Sequence, residues 1–305
     1  MMPTLNRQSG AVLILLFVAL IMGATTVILA ALNNGSPQLR DRVNKRNEMQ
    51  VVKETLLAYA MTNPEYNTSP NGPGRLPCSD TDNDGLMNCN TNAIGLGRLP
   101  KRIIPPVGSP IALSDRYADI GQQFWYAVAP AFRQNSSSLN TNSTSNLTVD
   151  GEIVAAVIIA PGPNLDGQVR INNNQATRYL ESTNATDPTD PGFLTNHPTD
   201  PTLLNDMLVP ITIKEVMTYA TSRVAIEIKN ALPASGDYPA DFAAFTTRMT
   251  TNGAAWLGVN NWISATVATY TRPTPTSATV QFSNCAIVYT FVQTQDGFSR
   301  SQRSC

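Results

Sequence analysis

The sequence has few of the residues and motifs that form the active sites of most enzymes. It contains a single histidine, His197, in a proline-rich stretch, and a Ser-His-Asp or Cys-His centre would have to be built on that residue. It has no cysteine and histidine cluster with zinc spacing, no Walker loop and no dinucleotide-binding glycine pattern. Asp237 and Asp241 could serve a glycosidase, but scattered acids more often lie on a solvated surface. We therefore predict that the chain is not an enzyme.

Charged residues are also scarce. They make up 14% of the 305 residues, whereas about a quarter is usual. The 22 acidic and 21 basic residues nearly cancel, and this balance lacks the basic field of a nucleic-acid-binding protein. Asparagine, threonine and serine take the place of charges, as they do in many exported proteins. We predict that nucleic acid is not a partner.

One long segment carries no charge at all. Ala11 to Leu32 read AVLILLFVALIMGATTVILAAL. A helix of about 22 residues would be about 33 Å long and could cross a hydrocarbon core of roughly 30 Å. This pattern predicts a transmembrane helix. Two simpler interpretations stay open, which are a cleaved secretory signal ending near Ala30 and a membrane anchor with no further role.

The residues just before this segment carry a family resemblance. Arg7-Gln8-Ser9-Gly10 places a basic residue and then a glycine directly against the apolar run. This resembles the leader of type IV prepilins and pseudopilins, in which a dedicated prepilin peptidase cuts after the glycine. The resemblance implies cleavage between Gly10 and Ala11. Typical members have Phe and Glu at the first and fifth mature positions, where this chain has Ala11 and Leu15, and this departure resembles minor or tip subunits.

The remaining chain divides by pattern. Asn33 to Pro37 form a break, and apolar residues then recur at spacings of three and four up to about Met61, as in an amphipathic helix. The predicted parts are a leader over 1–10, a transmembrane and spine helix over 11–61, and a globular head over 62–305 with a subdivision near 205–235. The expected fold class is α+β. In it, a long N-terminal helix, membrane-spanning and then amphipathic, packs on a mainly antiparallel, pilin-like sheet head with long loops.

The charges that flank the apolar segment do not decide its orientation. Arg7 precedes it, but four bases follow it, and basic residues normally mark the cytoplasmic side: Arg40, Arg42, Lys45 and Arg46. The cysteines and the resemblance together imply a cytoplasmic N-terminus and a periplasmic head. The expected location is the bacterial inner membrane, as a single-pass protein, and then a pilus or pseudopilus.

The four cysteines fall into two local pairs, Cys78 with Cys89 and Cys285 with Cys305. An even number of cysteines in an exported chain suggests disulfides. Four cysteines allow three pairings, and we predict the local one. The second bridge would resemble the C-terminal disulfide loop of many pilins.

The loop between the first two cysteines is rich in carboxylates. Three aspartates alternate and a glycine follows, as in the front half of a calcium loop: Asp80, Asp82, Asp84 and Gly85. Leu86 could add a backbone carbonyl, and Asn88 could add a side-chain or water-bridged oxygen. Thr91 stands where an EF-hand has its bidentate Glu. A calcium site and a solvated Asp-rich turn therefore both stay open.

A second resemblance runs through the head. Its motifs follow one another in the order GRLPC (74–78), GRLP (97–100), WYAV (125–128), VAAVIIAPG (154–162), YLE (179–181) and ND (205–206). This order resembles a set of bacterial pilin-like proteins. The continuous apolar run at 153–160 predicts a central strand. The alternation over 265–292 predicts an antiparallel meander, and the Thr-Asp-Pro-rich residues 182–205 predict a loop.

These observations lead to one expected function. The chain would be a minor or tip subunit of a type IV pilus or type II secretion pseudopilus, acting in filament assembly. Its partners would be other pilin-like subunits through the N-terminal helix, the inner membrane before assembly, and the prepilin peptidase. The alternatives are an adhesin-like binding module, anchored in the membrane or carried on a pilus, and a hydrolase on a membrane tether.

Overall fold

The computed structural model of this protein describes residues 37–66, 72–89, 95–103, 111–112, 124–134, 136, 138–170, 175–185, 192–195, 203–294 and 296–305. The predicted cleavage site at Gly10 and Ala11 and the apolar segment 11–32 lie outside these residues, and Thr91 and His197 do too. The chain separates into two compact units, Met1–Glu48 and Met49–Cys305. The boundary falls inside a helix.

The helices of the described chain are α1 (Pro37–Tyr66), α2 (Ile213–Ala231), α3 (Phe242–Asn252) and α4 (Ala255–Val259). In the first unit, α1 carries an ion pair between Asp41 and Lys45, four residues apart. In the second unit, α1 buries Met49, Val52 and Leu56 on one face. Their spacing of three and four residues is that of an amphipathic helix, and it is the reason this part of α1 packs on the head.

The structure contradicts the predicted fold class. None of the helices among the described residues is both long and apolar enough to cross a bilayer. The helix observed after the predicted membrane segment, α1, carries charged residues from Arg40 onward, and charges in a bilayer core are costly. The described strands form two main sheets, one mixed and one antiparallel. The prediction of a long membrane-spanning helix packed on a mainly antiparallel, pilin-like sheet head is therefore corrected to an α+β arrangement with two sheets.

Within the described parts of the chain, the first sheet has six strands: β1 (Gly97–Arg98), β4 (Trp125–Val128), β5 (Thr148–Val149), β6 (Glu152–Ala160), β7 (Gly192–Phe193) and β8 (Met207–Thr212). β6 is antiparallel to both β4 and β8, and Val157 pairs with Ala127 on one side and Pro210 on the other. Every β6 residue from Val154 to Ala160 is buried. Burial on both faces explains why this strand is a continuous apolar run. β5 and β7 are parallel, so the sheet is mixed.

The second sheet is an antiparallel meander of β9 (Ala268–Thr274), β10 (Ser277–Phe282), β11 (Val288–Val292) and β12 (Ser299–Arg300). A further short pair consists of β2 (Arg102–Ile103) and β3 (Ile111–Ala112). Cys285, between β10 and β11, is bridged to Cys305. This disulfide therefore fastens the last residue of the chain to the turn between two central strands of the meander.

Helix α2 contacts both sheets. It begins with a capping box, in which Thr212 and Glu215 each bond the other's backbone N–H. Its apolar residues pack against β6 and β8 of the first sheet. On the other side, the buried hydroxyl of Thr221 lies 2.8 Å from the hydroxyl of Tyr289 in β11. One helix thus joins the two sheets through apolar packing and a buried hydrogen bond.

A buried polar cluster around Asn260 joins three distant segments. The side-chain oxygen of Asn260 accepts hydrogen bonds from the Arg75 guanidinium at 2.8 Å and from Leu139 N–H at 2.9 Å. Its amide donates to the carbonyl of Trp256, and its own carbonyl accepts from the Asn140 amide. Arg75 is completely buried, and that burial lowers its pKa to about 10, which still leaves it charged at neutral pH. A buried cation of this kind needs these acceptors.

Replacing Asn260 should therefore be costly. We expect Asn260→Leu to lower the free energy of unfolding by about 2–4 kcal/mol, because Arg75 and the Leu139 N–H lose a buried acceptor. Urea unfolding of the full chain, followed by tryptophan fluorescence, measures the change. Asn252→Leu, on the exposed end of α3, is the control and should cost less than about 0.5 kcal/mol. Equal losses in the two variants would contradict the assignment.

Candidate metal-binding loop and buried carboxyl pair

The Cys78–Cys89 disulfide closes a short loop, with the two Cα atoms 5.3 Å apart. The base of this loop pairs with β1, since Asp80 N–H donates to Arg98 O at 2.9 Å and Arg98 N–H donates to Asp80 O at 2.7 Å. Gly97 is needed beside this pair, because a Cβ there would lie 2.4 Å from Asp80 O. The loop therefore projects from a fixed base.

Asp80 organises the inside of the loop. Its carboxylate accepts hydrogen bonds from Asn83 N–H at 2.6 Å and from Gly85 N–H at 2.8 Å. Asn83 and Gly85 have φ angles of +65° and +88°, in the left-handed region that asparagine and glycine tolerate best. Asp80 is fully buried, and desolvation is the main cause that raises its pKa. The turn chemistry thus explains why the glycine follows the third aspartate.

The structure brings the three predicted aspartates together. Asp80, Asp82 and Asp84 each offer a carboxylate oxygen, and these oxygens lie within 4.8 Å of one another. Asp84 also accepts from Leu86 N–H at 2.7 Å. The side-chain oxygen of Asn88, the other predicted ligand, instead accepts from Thr81 N–H, while its amide donates to Asp82 at 3.3 Å. Three hard oxygen ligands suited to calcium therefore share a site, and Asn88 braces the loop.

Arg98 supports this loop from inside the head. Its guanidinium lies between two aromatic rings, 4.0 Å from the centre of Trp125 and 4.2 Å from that of Tyr179. It is completely buried, and this burial lowers its pKa to about 10. Cation–π contacts on both faces offset part of the cost of burying the charge. The GRLP, WYAV and YLE motifs contained these residues, but nothing in the sequence indicated that they stack.

A second cluster joins two carboxyl groups in the interior. Glu181 and Asp206 are both buried, and they lie close enough for the charge of Glu181 to raise the pKa of Asp206. Asp206 also accepts from Glu181 N–H and from the Asn184 amide, each at 3.2 Å. The Glu181 carboxylate accepts from Gln168 at 3.2 Å and from Asn205 N–H at 3.3 Å. These bonds tie the segment around residue 181 to the residues that lead into β8.

One nearby cation faces the carboxyl pair. Arg170 forms an ion pair with Glu181 at 3.6 Å and donates to the carbonyls of Gly162 and Tyr179. Arg170 is the one cation facing the pair among the described residues, so two ionised carboxylates here would leave a net negative charge in a low-dielectric site. Burial first, and the charge of Glu181 second, raise the pKa of Asp206 to about 8. With this raised pKa, Asp206 keeps its proton at neutral pH, and the buried site then holds one negative charge fewer.

The other acids named from the sequence have simpler partners. Asp241 caps α3 by accepting from Ala244 N–H at 2.8 Å, and Asp237 forms an ion pair with Arg272 at 3.6 Å. Asp241 acts as a helix cap and not as one member of a carboxylate pair. Glu181 and Asp206 had appeared only as motif residues, because partners 25 residues apart give no local spacing signal.

The carboxyl pair predicts a pH dependence of stability. Unfolded Asp206 releases its proton near its ordinary pKa of 3.8, while the folded chain retains it up to about pH 8. A raised folded pKa gives a stabilising contribution that is complete below pH 4 and is lost progressively as pH rises to 8. Asp206→Asn should flatten the fall in unfolding free energy between pH 5 and 8. Urea unfolding at several pH values tests this, with exposed Asp166→Asn as the control that keeps the wild-type slope. Parallel curves for wild type and Asp206→Asn would contradict it.

Comparison with known proteins gives no relative for this chain. No protein-family model matches it. No curated protein and no solved structure matches it either. What the protein does has to be inferred from its own residues.

Proposed function

We propose that this protein is a minor or tip subunit of a type IV pilus or type II secretion pseudopilus, acting in filament assembly. The observation that carries the proposal is the leader, in which Gly10 stands directly before the uncharged residues Ala11 to Leu32. A prepilin peptidase would cut after Gly10 and leave the apolar segment on the mature chain. That separates this proposal from an ordinary signal peptide, whose apolar region is shorter and is removed.

The apolar segment would have two successive environments. Before assembly it would lie in the inner membrane, with the head in the periplasm. In the filament it would pack among the corresponding segments of other pilin-like subunits, which keeps the same apolar surface out of water. Leu15 takes the place of the family's acidic residue, and an uncharged residue there suits a subunit that makes fewer such contacts. A large head, as here, is also accommodated best at a filament end.

Features of the head support an exported subunit. Both disulfides lie in the second unit and close local loops, and disulfides persist in oxidising compartments such as the periplasm. The chain has no free cysteine among its described residues. The part of helix α1 that belongs to the second unit, from Met49 onward, buries one face in the head. These features fit a head that is displayed outside the cytoplasm.

The same proposal includes calcium in the loop of Asp80, Asp82 and Asp84. Support comes from their oxygens lying within 4.8 Å and from the backbone bonds that fix Asp80. Asp82 and Asp84 are exposed, so an ion could reach them from solvent. Leu86 follows with a backbone carbonyl. A bound divalent cation would neutralise three mutually repelling carboxylates.

Processing at Gly10 is the first test. When the full chain is expressed with a prepilin peptidase, mass spectrometry should find a mature chain that begins at Ala11. Gly10→Val should block the cut, because it changes the residue on which the peptidase acts, and Ser9→Ala should leave it intact. A mature chain that begins at Met1 or beyond Ala30 would contradict the proposal.

Deletion of the protein then separates assembly from adhesion. Loss of pili or of type II secretion is the expected result. Retained filaments that no longer attach would favour the binding-module alternative.

Calcium is tested on the purified full chain in detergent. If calcium binds with a Kd of about 0.1–1 mM, 10 mM calcium should stabilise the fold by about 1–3 kcal/mol and raise its unfolding temperature by several degrees. Asp82→Asn with Asp84→Asn should abolish the shift. Asp166→Asn with Asp237→Asn makes the same charge change outside the loop and should preserve it. An equal shift in both double variants, or none in the wild type, would reject this site.

A further inference from the structure

A groove of about 690 Å³ opens beside α1 and α2 in the second unit, and residues 300–304 form its third side. We call it the α1–α2 groove. Its apolar lining includes Leu57 and Met61 of α1 and Tyr219 of α2. Tyr219 is 37% exposed, so its ring is available to a partner. An apolar centre within a polar rim is the composition of a protein interface.

The charges that line this groove are unbalanced. Lys53 and Glu215 neutralise each other in an ion pair of 2.7 Å, and the remaining anion in the lining is Glu54. The remaining cations are exposed, and none forms an ion pair within the described chain: Lys214, Arg300 and Arg303. Four cations thus face two anions. This positive excess suits an anionic partner.

The loop closed by the first disulfide, residues 78–89, carries the opposite charge, and we call it the aspartate loop. Asp82 and Asp84 are exposed at its tip, and neither forms an ion pair with another described residue. Leu86, next to them, is partly exposed. The loop therefore presents two unpaired negative charges and an apolar side chain to solvent.

The aspartate loop is also rigid enough to act as a docking element. The Cys78–Cys89 disulfide closes it, and backbone hydrogen bonds between Asp80 and Arg98 fix its base. A segment that is ordered before it binds loses little conformational entropy on binding. None of its residues is among those that line the groove, so the two surfaces of one chain do not meet. A contact between them requires two molecules.

We propose that the α1–α2 groove binds the aspartate loop of a second copy of this chain. The carboxylates at the loop tip pair with the three exposed cations of the rim, and Leu86 packs on the apolar lining near Tyr219. Opposite charges of this kind speed the encounter of two surfaces and fix their register. This inference goes beyond the proposed function, because it concerns contacts between heads and depends neither on the leader nor on bound calcium.

The contact has two consequences. Groove and loop are different surfaces, so each copy offers its groove to one neighbour and its loop to another, and association continues along a row unless the rotation closes a ring. The proposed calcium site uses the same carboxylates as the contact. A calcium ion bound there would neutralise the loop and oppose docking.

The first test is sedimentation velocity of the purified full chain in detergent with EDTA. The wild type should associate more with rising concentration, and less as NaCl rises from about 0.1 to about 1 M, because the screening length falls from about 10 to about 3 Å. The groove variant is Lys214→Glu with Arg303→Glu, and the loop variant is Asp82→Lys with Asp84→Lys. Each alone should raise the dissociation constant by about tenfold or more. An equimolar mixture of the two should associate again, because each reversed surface then meets its opposite.

Matched controls make the same charge changes outside both surfaces. Arg42→Glu with Arg178→Glu and Asp166→Lys with Asp237→Lys should each stay within about twofold of the wild-type dissociation constant. Rescue in the mixture would also show that the groove and loop variants are folded. All variants keep the N-terminal segment, so association through that segment would be the same in every sample.

The second test identifies the residues that meet. A carbodiimide, which joins carboxylates to amines, is applied to a mixture of isotopically light and heavy full chains. Mass spectrometry should find Lys214 of one label joined to Asp82 or Asp84 of the other label. If calcium stabilises the chain, about 10 mM calcium should reduce this product relative to NaCl of the same ionic strength.

Each outcome supports or overturns the contact. Rescue in the mixture and a cross-link between light and heavy chains support docking between copies. Loss of association in the groove variant alone would show that a different acidic surface occupies the groove, and the proposal would fail. A wild type that does not associate, or a mixture without rescue, would overturn it as well. Failure of cleavage after Gly10, or of calcium binding, would defeat parts of the proposed function and leave this result untouched.

Discussion

The head depends on one helix being buried against two sheets at once. The residues of α2 that face inward are almost completely inaccessible to solvent: Val216, Met217, Ala220, Thr221, Val224, Ala225 and Ile228. A helix against a single sheet needs only one apolar stripe. Here the helix must also meet β11, and it does so with Thr221 bonded to Tyr289. Cys305 also contacts α2, because its N–H donates to the Thr218 hydroxyl at 2.9 Å. The second disulfide joins the turn before β11 to Cys305, and the hydrogen bond from Cys305 N–H joins that residue to α2.

A protein with few charges places several of its arginines inside. Arg75 is held by carbonyl oxygens and Asn260, Arg98 lies between two aromatic rings, and Arg170 pairs with Glu181. Burial lowers the pKa of all three. Each uses a different way to offset the loss of hydration. Arg75 and Arg98 also connect segments far apart in the chain, whereas Arg170 joins nearby ones. Removing one partner of such a group costs more than an ordinary surface contact, because a buried charge is left behind.

The features that bear on function lie on different parts of the head. The aspartate loop is exposed at its tip, and its base is fixed by the backbone hydrogen bonds between Asp80 and Arg98. The carboxyl pair is buried, and its hydrogen bonds hold the segment around Glu181 against the residues that lead into β8. An assembly subunit needs a stable head with separate contact surfaces, and this division of roles is consistent with the proposed function.

The sequence by itself determined the features whose information lies within a few residues. The uninterrupted run in β6 predicted a central strand, the alternation near the C-terminus predicted the meander, and the spacing of Asp80, Asp82 and Asp84 predicted that their carboxylates would meet. The disulfides in the structure are also the local pairs favoured from spacing along the chain. Only the tertiary structure decided that the strands divide into two sheets joined by α2 and that Arg98 stacks between Trp125 and Tyr179. It also decided that Glu181 and Asp206 are buried together. Those partners lie tens of residues apart. They come together because folding excludes water from a common interior, and a local sequence pattern does not predict such contacts.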